Sequence, residues 1–264
     1  DIANSSRQIK ASEVEACAKA GVTKIIEVKI GYDGIVFASR RDSGKFALEP
    51  RHIFMAAAKE IPQDGKMVAN PYTRWSQIDR SLPDQEITLV IPGSNHGTRE
   101  VYEEKTVVPG CKTFAEVKAM ADDKAAHKFC NAIRTDGRVV EVAGDYTETL
   151  ARLDAQKTAV GVFGLSFYDQ NRDRLQVATI SGVVPSEQSI ETGKYPVSRP
   201  LYFYIKDAHV GVIPGLLEFA QYFLSPQVSG NGSPLEKAGL IALNAKERGE
   251  VVKAIKERKA VSLK

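Results

Sequence analysis

No apolar run in this 264-residue sequence approaches the roughly 18 residues that a membrane-crossing helix needs, which argues against membrane insertion. Excess charge of one sign is equally scarce. The 36 Lys and Arg against 33 Asp and Glu leave +3, too little for a general nucleic-acid binder. Cysteine is rare, at Cys17, Cys111 and Cys130, and forms no Cys-x-x-Cys pair. Only His127 stands near a cysteine, Cys130, at ligand-like spacing, well short of the four ligands of structural zinc. No metal or cofactor is expected. Solenoid repeats and low-complexity tracts are absent. With 43% hydrophobic and 26% charged residues the chain is not intrinsically disordered, and its length suffices for two lobes. No leader-like segment opens it, so it reads as a cytosolic protein or as an export product already processed.

Catalytic signatures are missing too. Gly93-Ser94-Asn95-His96-Gly97-Thr98 does not fit the Gly-x-x-x-x-Gly-Lys-Ser/Thr nucleotide loop. Gly164-Leu-Ser-Phe-Tyr168 is not a Gly-x-Ser-x-Gly nucleophile elbow. His96 and Ser94 are too close on one loop to face each other as a hydrolase dyad. His52, His127 and His209 are scattered.

What remains is an alternation of strand and helix patterns, the mark of an α/β protein. A helix follows the opening segment, with Ser12 and Glu15 spaced as a capping box and Gly21 as its stop. A β-rich stretch from Lys24 to Ser39 is interrupted by Gly31-Tyr-Asp-Gly34. The segment 70–85 reads as irregular, and Tyr195–Lys206 as a strand broken by two prolines. Residues 211–227 read as an amphipathic helix with a broad apolar face. The cysteines leave two readings open: small buried side chains, or a Cys111–Cys130 disulfide. One unbroken helix over 112–130 would hold those sulfurs about 28 Å apart. A disulfide therefore requires a helical hairpin turning near Asp122–Asp123.

Two segments share a chemical pattern. Asn4-Ser5-Ser6-Arg7 precedes a helix starting near Ser12, and Gly93-Ser94-Asn95-His96-Gly97-Thr98-Arg99 opens a helix over about 98–104. In each, a strand runs into small and hydroxyl-bearing residues and then a helix. Helix N-termini present unpaired N–H groups and a positive dipole end, and glycine admits close backbone approach. Ser and Thr hydroxyls add donors, and Arg7 and Arg99 add a fork suited to a tetrahedral oxyanion. The same residue types also serve as ordinary helix caps.

At these residues the sequence resembles the PstS-type periplasmic phosphate-binding proteins of bacterial ABC transporters. The carriers, in order, are DIANSSRQIK at 1–10, IGYDGIVFA at 30–38, IPGSNHGTREVYEE at 91–104, GVFGLSFYDQN at 161–171 and VSRPLYFYIK at 197–206. The resemblance implies an α/β two-lobed periplasmic-binding-protein fold (type II, Venus flytrap). Its sheets would be mixed and mostly parallel, with two hinge strands near 31–38 and 197–204. Lobe 1 would combine 1–35 with 199–264, and lobe 2 would span 36–198. It implies a non-catalytic periplasmic receptor, its signal peptide removed, that passes inorganic phosphate to a membrane permease. Ser5, Ser6 and Arg7 from one lobe and Ser94, His96, Gly97, Thr98 and Arg99 from the other would bind the anion.

Ser6 stands where many relatives carry an aspartate that accepts the phosphate proton. His96 stands where serine is common, so its backbone N–H rather than its ring is expected to serve. The family also has a strand, an anion loop, a helix and a second Ser/Gly-rich loop ahead of the segment matched here. Lobe 1 is therefore expected to lack its N-terminal strands and to expose an apolar sheet edge. The chain alone would be poorly stable or associate, and the partner of Cys17 would lie in the absent part. Alternatives are a receptor for sulfate, molybdate or a phosphonate, a secreted phosphatase-like enzyme, or an adhesin on the same scaffold.

Overall fold

Residues Ile25–Arg40 form one continuous strand, although Gly31-Tyr-Asp-Gly34 reads as an interruption. The glycines are there for close packing, not for a turn. A Cβ on Gly31 would lie 2.6 Å from the Ile241 carbonyl oxygen, and one on Gly34 would lie 2.3 Å from Ile190 Cδ1. A side chain at either position would push a neighbour off the strand.

The computed structural model describes residues 1–262; the last two residues of the expected lobe 1, 263 and 264, lie outside the described residues. In chain order the strands are β1 (Ile2–Ser5), β2 (Ile25–Arg40), β3 (Ala47–Leu48), β4 (Glu60–Gln63), β5 (Lys66–Ala69), β6 (Leu89–Pro92), β7 (Val139–Val142), β8 (Val160–Gly164), β9 (Leu175–Val177), β10 (Thr179–Ile180) and β11 (Ser198–Lys206). The chain divides into two compact units, Asp1–Asp33 with everything from Arg199 onward, and Gly34–Ser198.

In the first unit β1 pairs antiparallel with β11, from Ile2 opposite Ile205 to Ser5 opposite Tyr202, and β11 lies beside β2. Pro200 sits inside β11 without breaking it. Ile26, Val28, Phe203 and Ile205 from these strands pack on Leu216, Ala220, Leu224 and Ile255. Leu216, Ala220 and Leu224 recur every fourth residue, so one stripe of the helix Leu216–Phe223 faces the core. The apolar character of that helix extends beyond the stripe: Phe219 is 50% and Tyr222 66% exposed. Phe219 and Phe223 join Ile2, Ile30, Leu201 and Phe203 around an open groove of about 660 Å³ along the edge strand β1.

In the second unit β6 is flanked by β7 and β8, both parallel to it, and β8 pairs antiparallel with the later half of β2. The sheet is mixed, with its parallel part confined to β7–β6–β8. Leu89, Val90 and Ile91 of β6 and Val160, Val162 and Phe163 of β8 are buried, as expected of strands covered on both faces. The segment 70–85 is not wholly irregular: Trp75–Ile78 is a helical turn whose Trp75 is fully buried.

The cysteine ambiguity resolves in favour of a Cys111–Cys130 disulfide joining positions 19 apart in sequence. Cys111 ends a helical run begun at Gly97, and Cys130 ends the helix Asp123–Cys130. Asp122 caps that second helix, its carboxylate accepting the Lys124 N–H at 3.0 Å. A short helix, Ala115–Lys118, lies between the two helices, so the chain returns through a broken segment and not through a single hairpin turn. A loop of this size implies about 3 kcal/mol of stabilisation through the unfolded chain. Reduction, or the paired change Cys111→Ser with Cys130→Ser, is expected to lower the melting temperature by several degrees; an unchanged thermal melt would show that the bridge contributes nothing.

Candidate functional site

The parallel register of β7, β6 and β8 brings three carboxyl ends to one edge of the second unit. Each end runs into a helix start. β6 leads through Gly93–His96 into the helix Gly97–Tyr102, β7 leads into Tyr146–Ala155 capped by Asp145, and β8 leads through Gly164 directly into Leu165–Asp169. In open α/β sheets, ligands bind outside such carboxyl ends. The turn after β6 is pinned at both sides: Gly93 N–H donates to Val142 O at 2.8 Å and His96 N–H donates to Gly93 O at 3.0 Å. The His96 amide, expected to serve a ligand, therefore closes its own turn. Ser94 and Gly97 are exposed, and His96 and Thr98 half-buried.

Thr98 does not stand alone. Its Oγ1 lies 2.6 Å from the Tyr146 hydroxyl, across from the neighbouring helix start. The Tyr146 ring packs on Phe163 and Phe167, centroids 6.0 and 5.4 Å away. A Cβ on Gly164 would come within 3.3 Å of the Tyr146 oxygen, so glycine there leaves room for the phenol. Tyr146 and Gly164 escaped the sequence reading. A signal was present: three apolar strands each run into a glycine within two residues, at Gly93, Gly144 and Gly164.

Arg99, expected to meet the oxyanion, has a side chain that is 8% exposed and bonded to three groups of the scaffold. Nη1 donates to Pro92 O at 3.0 Å and to Glu141 at 2.9 Å, while Nε donates to Glu103 at 2.6 Å. Burial works against the charged form, yet the two carboxylates outweigh it and leave the guanidinium pKa above its ordinary value. The fork ties the end of β6, the middle of β7 and the second turn of the helical run together.

In the first unit, Ser5 ends β1 and Ser6–Arg7 form a bend. Ser5 Oγ donates to Arg7 O at 2.7 Å and accepts from Arg7 N–H at 3.3 Å. The Arg7 guanidinium forks onto Glu13 at 2.9 and 2.7 Å, so a carboxylate matches its charge. The following helix is Ala11–Lys19, one residue earlier than expected. Glu13 rather than Glu15 closes its start, accepting the Lys10 N–H at 2.8 Å. The Arg7 hydrogen bond, helped by the Lys10 amide, holds the Glu13 carboxyl at about 2.

Comparison with known proteins matches residues 1–227 to the PBP superfamily domain. The chain belongs to the PBP superfamily. It is 30% identical over 247 residues to the phosphate-binding protein PstS of Staphylococcus epidermidis, covering 92% of this chain and 63% of that protein. The chain thus spans less than two thirds of that relative's length. Among solved structures it is similar to a possible phosphate-binding protein from Planctomyces limnophilus, with a TM-score of 0.67 at 20% identity, covering 98% of this chain and 81% of that one. It is also similar to PstS from Borrelia burgdorferi, with a TM-score of 0.61 at 17% identity, covering 92% and 79%. At those identities the structural likenesses establish the PBP fold. Among the described residues no helix is long and apolar enough to cross a membrane, and no three His, Cys, Asp or Glu side chains gather to hold a metal.

Two outcomes follow from the arginines. Arg99→Met leaves Glu103 and Glu141 without their shared partner and the Pro92 carbonyl without its donor. It is expected to destabilise the protein by about 2–4 kcal/mol in denaturant unfolding; an unchanged midpoint would refute the scaffold role. For Glu13 the folded pKa lies below the unfolded one. Its contribution is therefore present above about pH 4.5 and is lost as pH falls toward 2. A carboxyl NMR titration should find Glu13 near 2 and, in Arg7→Ala, shifted upward while the Lys10 amide still holds it below its ordinary value; identical midpoints in both proteins would contradict the clasp.

Proposed function

We propose that this PBP-superfamily chain is the solute-binding part of a non-catalytic receptor that captures inorganic phosphate outside the cytoplasm and hands it to the membrane permease of an ABC importer. The observation that carries this reading is the edge where β6, β7 and β8 end. There, first-turn amides and the Thr98 hydroxyl offer donors, while the carboxylates of Glu103 and Glu141 are turned to Arg99 and those of Asp145 and Glu148 accept backbone amides at the neighbouring helix start. Such an arrangement suits a tetrahedral oxyanion and needs no free cation. The PstS name of the S. epidermidis relative supports phosphate among the oxyanions. On this reading Ser94, Gly97 and Thr98 contact the anion directly and His96 shapes the turn. Arg99 supports from beneath. Ser5, Ser6 and Arg7 join the ligand set through the resemblance, with Arg7 also clasping Glu13.

Calorimetry with phosphate, sulfate and molybdate tests the proposal. Saturable phosphate binding is expected, and sulfate binding as tightly as phosphate would overturn the choice of anion. Thr98→Ala removes a hydroxyl donor to a charged ligand, a loss of about 1.5–3 kcal/mol, and should weaken phosphate roughly ten- to hundredfold. Unchanged affinity would remove Thr98 from the site. Hydrolysis of p-nitrophenyl phosphate that disappears in His96→Ala would favour an enzyme instead.

A further inference from the structure

We infer that Tyr146 is a positioning residue for anion recognition, acting through Thr98; the inference rests on the oxyanion-receptor reading above. Thr98 and Tyr146 occupy the first turns of two helices that follow the neighbouring parallel strands β6 and β7. Their hydroxyl oxygens are 2.6 Å apart, so one hydroxyl donates to the other. Each hydroxyl carries a single proton. Whichever accepts within the pair keeps its own O–H for another partner. When Tyr146 donates, the Thr98 hydrogen is released toward an anion and its rotor is fixed, so the cost of orienting that donor is met before the ligand arrives.

The phenol is built into this place. Its ring lies against Phe163 and Phe167 on the far side of β6, spanning from the β7 helix to the β8 end. Gly164 supplies the space, since a Cβ there would crowd the phenol oxygen at 3.3 Å and Cε2 at 3.4 Å. A tyrosine that served only as packing would have no need of a hydroxyl aimed at the one threonine of the ligand turn.

The test is a double-mutant cycle read by phosphate calorimetry, with thermal melts as control. Tyr146→Phe keeps the ring and removes the hydroxyl; it should weaken phosphate binding by about tenfold with an unchanged melt. In a Thr98→Val background the same change should shift affinity less than about twofold, because the partner it acts through is gone. Additive effects, or wild-type affinity in Tyr146→Phe, would overturn the inference while leaving the receptor reading intact. A folded wild-type protein that binds no phosphate would sink both. Should Tyr146→Phe lower the melting temperature, Gly164→Ala is the second variant. Gly164 has φ −69°, which alanine adopts freely, so the added methyl acts on the phenol alone. It should weaken phosphate several-fold, and wild-type affinity there would likewise overturn the inference.

Discussion

Arg99 is the interaction on which the second unit's functional edge depends. A buried guanidinium is tolerated only when its donors are met, and these donors are met by three different elements: the Pro92 carbonyl at the end of β6, Glu141 on β7 and Glu103 within the helical run. Satisfying all three fixes where that run starts relative to both strands. The backbone amides of its first turn then project from the sheet edge at a defined place. The charge that stabilises this arrangement is spent below the surface, so the exposed turn of Ser94, Gly97 and Thr98 can be neutral. The first-unit turn follows the same economy, with Arg7 matched by Glu13 and the Ser5 hydroxyl bonding both the carbonyl and the amide of Arg7.

On the proposed reading, this explains how an anion site fits a chain whose net charge is only +3. Amides and hydroxyls fixed in advance gain more from an anion than mobile lysines do, because little ordering remains to be done on binding. Neutral donors also leave no unpaired cation when the site is empty.

Much of this was legible in the sequence, and the exceptions have physical causes. The buried run of β6 and the Gly-Ser-Asn-His-Gly-Thr turn are contiguous, so periodicity and composition located them. On the disulfide reading, a helix break between Cys111 and Cys130 followed from distance. By contrast, the fate of Arg99 depends on Glu141, 42 positions away on a neighbouring strand, and no local pattern reveals which strands are neighbours. The Tyr146 contact is 48 positions from Thr98 and was hidden for the same reason. Gly31 and Gly34 were misread because a turn glycine and a close-packing glycine look identical in sequence. The helix after Thr98 was expected to end near Glu104, yet the helical run reaches Cys111 through Pro109. The π-helical stretch Glu103–Val107 lies just ahead of that proline. A wider turn displaces the carbonyl that the proline ring would otherwise meet one turn back.

If Ser6 takes the place of the aspartate that the resemblance to PstS-type proteins implies, it bears on how the proposed receptor would choose an oxyanion. A carboxylate only accepts hydrogen bonds, so it favours an anion that still carries a proton and repels one that does not. A hydroxyl such as that of Ser6 gives or takes. Sites made of such groups distinguish oxyanions less by protonation state than by how many oxygens they place within reach of rigid donors. For the proposed receptor, selectivity then rests on the rigidity of the turn after β6, and that rigidity comes from the buried Arg99 fork and from the tyrosine that holds Thr98.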